Sequence, residues 1–190
     1  WFTFDTSTGG PERQRWYTMG GNVATGAASV ALPIYQNVGG NFNAPPITNS
    51  TQVGTATLRF TDCDHGTLDY TFTDGSNRSD RIDLTRLTRN VTCVGSGARP
   101  VNADFALSGN WYDPATSGQG LTVEINPLSP VAFFAWYTYV PGGAAAGAAG
   151  QRWYTGQSGY VAGARTLAMT AYADRPPADQ RGCDTGRRQR

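Results

Sequence analysis

The chain has 190 residues, a net charge of +1 and only 15% charged residues. It therefore lacks the basic surface that nucleic-acid-binding proteins use, and no nucleic-acid partner is expected. Its 24 glycines, 11 prolines and 12% aromatic residues are typical of many short strands joined by tight turns, which predicts an all-β protein. The longest apolar run, 131–136, has the length of a strand and falls well short of the ~20 residues that span a bilayer, so no membrane span is expected.

Six strands are predicted in the first half of the chain, separated by clusters of Gly, Asn, Asp, Ser and Pro that favour turns. They cover residues 1–4, 14–18, 29–35, 53–61, 67–73 and 81–87. The last three alternate polar and apolar residues with period two, so we expect an antiparallel meander with one buried face. Residues 36–52 are rich in Gly, Asn and Pro and are predicted to be one long loop.

The second half of the chain begins with a predicted linker at 95–107. Further strands are expected from Gly109, at 121–125, at 131–140 and from Gln151. Residues 142–150 are Gly and Ala only, which predicts a flexible hairpin loop. Residues 174–190 are predicted to be a disordered tail.

The clearest pattern is a pentapeptide, Gln-Arg-Trp-Tyr-Thr, that occurs at 14–18 and again at 151–155. Each copy follows a second aromatic cluster, at 1–4 and at 136–139. This predicts a tandem repeat of about 135 residues. The chain would hold strands three to eight of a first unit in 1–94 and strands one to five of a second unit in 108–173.

An up-and-down antiparallel meander of this kind forms a barrel or a sandwich, and closure into a barrel removes exposed strand edges. Two arrangements are open. The first two strands of the second unit could complete the barrel of the first unit, or the chain could form two incomplete sheets.

Several short motifs, most of which contain Trp, Tyr or Gly, lie at Gly109 to Pro114, Ser117 to Gly120, Trp136 to Tyr139, Arg152 to Tyr154, Thr61 to Gly66 and Leu84 to Leu87. Together they resemble an uncharacterised Trp/Gly-rich β repeat module of secreted bacterial proteins. The resemblance implies a β fold and a secreted, periplasmic or cell-surface location, and it brings no catalytic residues. A second, more local likeness, to the avidin-type barrel, covers only about 109–123.

The three cysteines are distributed unevenly, because Cys63 and Cys93 lie in one strand-rich block and Cys183 lies in the polar tail. A cysteine pair in a small β module is typical of exported proteins and predicts a disulfide worth roughly 3 to 4 kcal/mol. Two buried free thiols are the alternative, and Cys183 has no evident partner.

The aromatic pairs are the candidate binding residues. They are Trp16 with Tyr17, Trp111 with Tyr112, Trp136 with Tyr137, and Trp153 with Tyr154. Adjacent strand residues face opposite sides of a sheet, so one ring of each pair should lie outside the core or in a cavity. Exposed rings would contact a glycan, a peptide or a neighbouring repeat, also by self-association. Two alternatives remain: both faces are covered, or the strands enclose a small-molecule cavity.

Signals for catalysis and for metal binding are weak. His65, the one histidine, follows Asp62 and Asp64 and could serve a hydrolase with either of them, but no Gly-x-Ser-x-Gly nucleophile motif accompanies it. Asp62, Asp64 and Asp69 have spacing reminiscent of a calcium loop, although Asp and Gly are also what a hairpin turn needs. We therefore expect a non-catalytic, exported β repeat module with a structural or interaction role and without a cofactor.

Overall fold

The computed structural model describes residues 1–5, 11–87, 103–126 and 129–173. They form two antiparallel sheets, which confirms the predicted all-β meander. The first sheet is curled and contains β1 (Phe2–Phe4), β2 (Gln14–Met19), β3 (Ser29–Val38), β4 (Asn49–Phe60), β5 (His65–Phe72) and β6 (Ser79–Thr85), each paired with the next. The second sheet contains β7 (Gly109–Trp111), β8 (Gly120–Ile125), β9 (Val131–Tyr139) and β10 (Gln151–Gly159) in the order β10-β9-β8-β7.

The strand β7 pairs with β8, and β8 pairs with β9, so within the described residues both belong to the second sheet and not to the first. Of the predicted linker, 103–107 forms a short 3₁₀ helix. Residues 88–102 and the predicted tail 174–190 lie outside the described residues.

The long loop predicted at 36–52 is shorter in the structure. The strand β3 continues to Val38 and β4 begins at Asn49, and these two residues are the last pair of the β3–β4 register. A ladder is made by backbone groups, so polar residues extend a strand wherever a partner strand lies opposite. The remaining loop, 39–48, crosses to the second sheet, where the Thr48 amide donates to the Ser117 carbonyl at 3.2 Å.

The prediction of a flexible loop at 142–150 is wrong, because Gly143–Gly150 forms 3₁₀ turns with a kink at Gly147, where φ is +55°. Alanine has the highest helix propensity, and a left-handed residue such as Gly147 breaks the run. The segment packs closely, since a Cβ on Gly143 would lie 2.9 Å from a Val140 methyl group. Small residues therefore give this segment a defined position.

Three clusters of buried side chains hold the fold together. The interior of the curled first sheet is filled by Tyr17, Ile34, Val53, Ala56, Leu68 and Phe72. A second cluster, between the two sheets, is built around Trp16, Tyr139 and Trp153. A third lies on the far side of the second sheet, where the segment 160–169 covers Ile125 and Ala132.

Candidate binding surface

The two copies of the pentapeptide lie against each other in the second of these clusters. The side-chain amide of Gln14 donates to the Trp153 carbonyl at 3.0 Å, and its oxygen accepts from the Trp153 backbone N–H at 3.4 Å. In return, the amide of Gln151 donates to the Trp16 carbonyl at 3.0 Å. Each glutamine thus binds the backbone of the tryptophan in the other copy of the pentapeptide.

The indole N–H groups of Trp16 and Trp153 form a second reciprocal pair of hydrogen bonds. Trp16 Nε1 donates to the Thr138 carbonyl at 3.2 Å, and Trp153 Nε1 donates to the Thr3 carbonyl at 3.3 Å. Thr3 and Thr138 occupy equivalent positions in the two aromatic clusters that precede the pentapeptides. The hairpins β1–β2 and β9–β10 therefore pack back to back, related by an approximate two-fold axis.

The aromatic rings between the hairpins obey the same relation. Phe4 lies 5.3 Å from Trp153, and its equivalent Tyr139 lies 5.6 Å from Trp16. As a result Trp16 and Trp153 are only 1% and 6% exposed. We call Trp16 and Trp153 the inner tryptophans, since their rings form the core between the sheets.

Tyr17, on the other face of β2, is also buried, at 3% exposure. It faces the interior of the curled sheet, where Phe72 of β5 lies 5.1 Å from its ring. Both faces of β2 are thus covered, so neither Trp16 nor Tyr17 is available to a partner. Burial raises the pKa of Tyr17, and the nearby Arg78 opposes that rise.

The outer face of the second sheet is different. Four large side chains stand directly opposite one another across its four strands: Trp111, Leu121, Trp136 and Tyr154. We call this set the outer row. Trp111 is 53% exposed and Leu121 37%, whereas Trp136 and Tyr154 are half-buried. With strands ~4.8 Å apart, the row extends across about 14 Å of the sheet.

The outer row borders an open groove of 350 Å³. One wall is the loop that carries Phe42, whose ring lies 5.2 Å from Trp136, and Tyr112 contributes another exposed ring at 61%. The loop is held by Gln119, which accepts from the Asn43 amide at 3.0 Å and donates to the Asn41 carbonyl at 2.9 Å.

A second depression of 300 Å³ lies on the other side of Trp111 and is lined mainly by apolar side chains. Trp111 forms the ridge between the two, and its Nε1 donates to the Leu107 carbonyl at 3.0 Å. The Trp136 indole N–H and the Tyr154 hydroxyl bond to no group within the described residues. Both polar groups are therefore free to bind a partner.

Comparison of this chain with protein-family models, with curated proteins and with solved structures finds no match. Among the described residues, no helix is long and apolar enough to cross a membrane.

The candidate acid–base group at His65 lies at the tip of the β4–β5 hairpin. His65 and Asp62 are 58% and 57% exposed, with His65 Nδ1 3.0 Å from the carboxylate. Asp62 mainly caps the turn, because it accepts the backbone N–H groups of Asp64 and His65 at 2.7 and 2.8 Å. The backbone hydrogen bond from Asp64, followed by the hydrogen bond with the His65 side chain, lowers the pKa of Asp62. This carboxylate is therefore a weak base.

The three carboxylates of the calcium-like pattern do not converge. Asp69 lies on β5 and binds Arg81 at 2.6 Å, with Arg59 at 3.6 Å. The hydrogen bond from Arg81 is the main reason why the pKa of Asp69 is lowered. Within the described residues, no group of three or more His, Cys, Asp or Glu side chains is placed to hold a metal ion.

Two further predictions involve cysteines and cavities. Cys93 and Cys183 lie outside the described residues, so the Cys63–Cys93 disulfide stays a prediction. The interior of the curled sheet is filled by side chains, and the cavity at its rim, beside Trp1 and Asn110, has a volume of 230 Å³. Ligand sites usually have volumes of about 300 to 1,000 Å³, so this cavity is smaller than a usual small-molecule site.

Sequence reasoning missed Gln14 and Gln151, which join the hairpins, and it missed Leu121 and Phe42 of the candidate surface. The glutamines carried a usable signal, because they belong to the repeated pentapeptide. The alternation of Leu121, Val123 and Ile125 indicated one face of a strand, but not that the first of them would be exposed.

Proposed function

We propose that the chain is a non-catalytic interaction module that binds a partner through the outer row. The observation that supports this most directly is the register, which aligns Trp111, Leu121, Trp136 and Tyr154 on one face while their neighbours Tyr137 and Trp153 face the core between the sheets. Trp and Tyr are the residues that contribute most to binding energy at protein surfaces, because their rings are large, rigid and carry a polar edge.

The energetics of the surface support the same proposal. Exposed apolar patches bordered by polar groups mark interaction sites. At the outer row the rings are flanked by the polar side chains Asn43 and Asp113, and two ring-borne donors remain free. A partner that covers the row gains both apolar burial and hydrogen bonds.

The proposal is tested by following the indole N–H signals of the five tryptophans by NMR while soluble oligosaccharides and short peptides are added to the full chain. We expect a binding probe to shift the Trp111 and Trp136 signals and to leave those of Trp16 and Trp153 unchanged. Trp136→Ala should abolish the response and keep the fold. Phe60→Ala is the matched control, because Phe60 is 54% exposed on the other sheet.

Two results would contradict this proposal. One is a ligand that shifts only the signals of tryptophans outside the outer row. The other is unfolding of the Trp136→Ala variant to the extent seen on truncating Trp16, which would make the outer row a core.

We also propose that the module functions outside the cytoplasm. The support is the resemblance to modules of secreted proteins and the predicted Cys63–Cys93 pair. Protein isolated from an oxidising compartment should gain about two hydrogens in mass on reduction, and Cys63→Ser should lower the free energy of unfolding by ~3 to 4 kcal/mol. Alkylation of both Cys63 and Cys93 before reduction would contradict the pairing.

A further inference from the structure

We infer that the partner of the outer row is an extended polypeptide strand with aromatic side chains at alternate positions, followed by a basic residue. This inference rests on the proposed function, because it names the chemistry of the partner for the same surface. It is carried by an internal precedent: the first sheet contains the same pair of rings with a strand already in place above them.

The two sheets contain equivalent pairs of aromatic rings. Trp1 and Tyr17 are cross-strand neighbours whose ring centroids lie 5.6 Å apart with planes tilted by 45°. Their equivalents in the repeat, Trp136 and Tyr154, are also cross-strand neighbours, 5.6 Å apart with a tilt of 41°. The two sheets thus present the same aromatic pair in the same geometry.

The ring pair of the first sheet is covered by side chains of another strand. Strand β5 places Tyr70 4.9 Å from Trp1 and Phe72 5.1 Å from Tyr17. Tyr70 and Phe72 are two residues apart, the spacing at which side chains of one strand share a face. Under this cover Tyr17 is 3% exposed, whereas Tyr154 stays half-buried.

A basic side chain, Arg78, also contacts the covered ring pair of the first sheet. In the first sheet, Arg78 follows β5, and its guanidinium stacks on Phe72 at 4.2 Å. It also pairs with Asp74 at 2.9 Å and lies beside the Tyr17 hydroxyl, where it opposes the rise in the pKa of Tyr17. A basic residue in the partner would reach the free hydroxyl of Tyr154 in the same way.

The backbone pairing beside the ring pair is also repeated in the second sheet. In the first sheet β3 pairs with β2 through Thr18 and Tyr35, and the chain returns through β4 to β5. In the second sheet the equivalent pair, Thr155 and Tyr172, is joined by two backbone hydrogen bonds of 2.8 and 3.0 Å. The register that leads to a covering strand is therefore retained beside β10.

The ring geometry favours a polypeptide over a sugar. The planes of Trp136 and Tyr154 are tilted by 41°, and those of Phe42 and Trp136 by 55°. These tilts form angled sockets that suit edge-to-face contact with further aromatic rings, not a flat platform for stacked sugar rings.

The test uses a synthetic peptide with the sequence of residues 65–79, which contains Tyr70, Phe72 and Arg78, added to the full chain. We expect it to shift the indole signals of Trp111 and Trp136. Affinity should fall about 30-fold for the Trp136→Ala chain, as for a hot-spot residue, and stay unchanged for Phe60→Ala. A peptide with alanine at both aromatic positions should fail to bind.

Three outcomes would overturn the inference. A soluble oligosaccharide that shifts the two signals while the peptide does not would leave the proposed function standing with another ligand class. Shifts confined to Trp1 would show that the peptide exchanges with β5 instead. If neither probe nor a second copy of the chain affects the outer row, the proposed function fails together with the inference.

Discussion

The second strands of the hairpins β1–β2 and β9–β10 begin with the same five residues, yet the environments of the two hairpins differ on one face. On the inner face they are alike, since Trp16 and Trp153 are both nearly inaccessible at 1% and 6% exposure. On the other face they differ, because Tyr17 lies beneath β5 and Tyr154 has no such cover within the described residues. Burial is thus determined by the polypeptide that packs on a face, and local sequence determines only which residues share that face.

The largest expected effect compares the inner tryptophans with the outer row. Trp16→Ala and Trp153→Ala should each lower the free energy of unfolding by about 3 to 5 kcal/mol, because each leaves a cavity between the sheets. Trp111→Ala, on the exposed side, should change it by less than ~0.5 kcal/mol. Urea denaturation measures all three, and a large loss for Trp111→Ala would remove the distinction between the faces.

A smaller effect is expected at the glutamines that join the hairpins. Gln14→Ala should cost about 1 to 3 kcal/mol, because it leaves the Trp153 carbonyl and N–H without their side-chain partner. Gln151→Ala should cost a similar amount through the carbonyls of Trp16 and Asn37.

A double-mutant cycle on the two glutamines sharpens the comparison. Because both bonds hold one interface, the double variant should lose less than the two single losses added together. Gln157→Ala, on an exposed position of β10, is the control. Strict additivity would show that the two bonds are independent, against the reciprocal packing described above.

The smallest expected effect is alkaline destabilisation. Burial raises the pKa of Tyr139, with a hydrogen bond from Thr48 as a lesser, opposing cause. The folded state therefore holds the phenolic proton more tightly than the unfolded state does. Stability is unaffected at neutral pH and falls as the pH rises above about 10, the ordinary value for tyrosine.

The variant Tyr139→Phe should lose less stability in that alkaline range than the parent chain. The partly buried Tyr137 of the same cluster also has its pKa raised by burial, so part of the slope should remain. Denaturation midpoints measured from neutral to alkaline pH provide the test. An unchanged slope would show that Tyr139 ionises without unfolding the chain.

Most strands were predictable from sequence, because alternation with period two reports which residues share a face. The candidate surface was predictable only as a set of aromatic pairs. Which ring of Trp136–Tyr137 faces outward depends on contacts between residues more than 100 positions apart, such as Gln14 with Trp153. Such contacts leave no periodic trace in the chain.

The segment Gly143–Gly150 was missed for a related reason. A run of Gly and Ala carries no amphipathic pattern, so its sequence indicates flexibility. In the fold, its small residues let backbone approach backbone, and it is the neighbouring chain that gives it a position. Close approach of this kind is a property of the assembled fold.

The back-to-back contact of the two hairpins also limits how such units can assemble. Since Gln14 binds the Trp153 backbone while Gln151 binds that of Trp16, the interface is isologous: the same patch is used on both sides. An isologous contact is closed once two patches have met and has no free end for a third. Hairpins of this sequence would therefore associate in twos, and longer arrays would need a different surface to join one couple to the next.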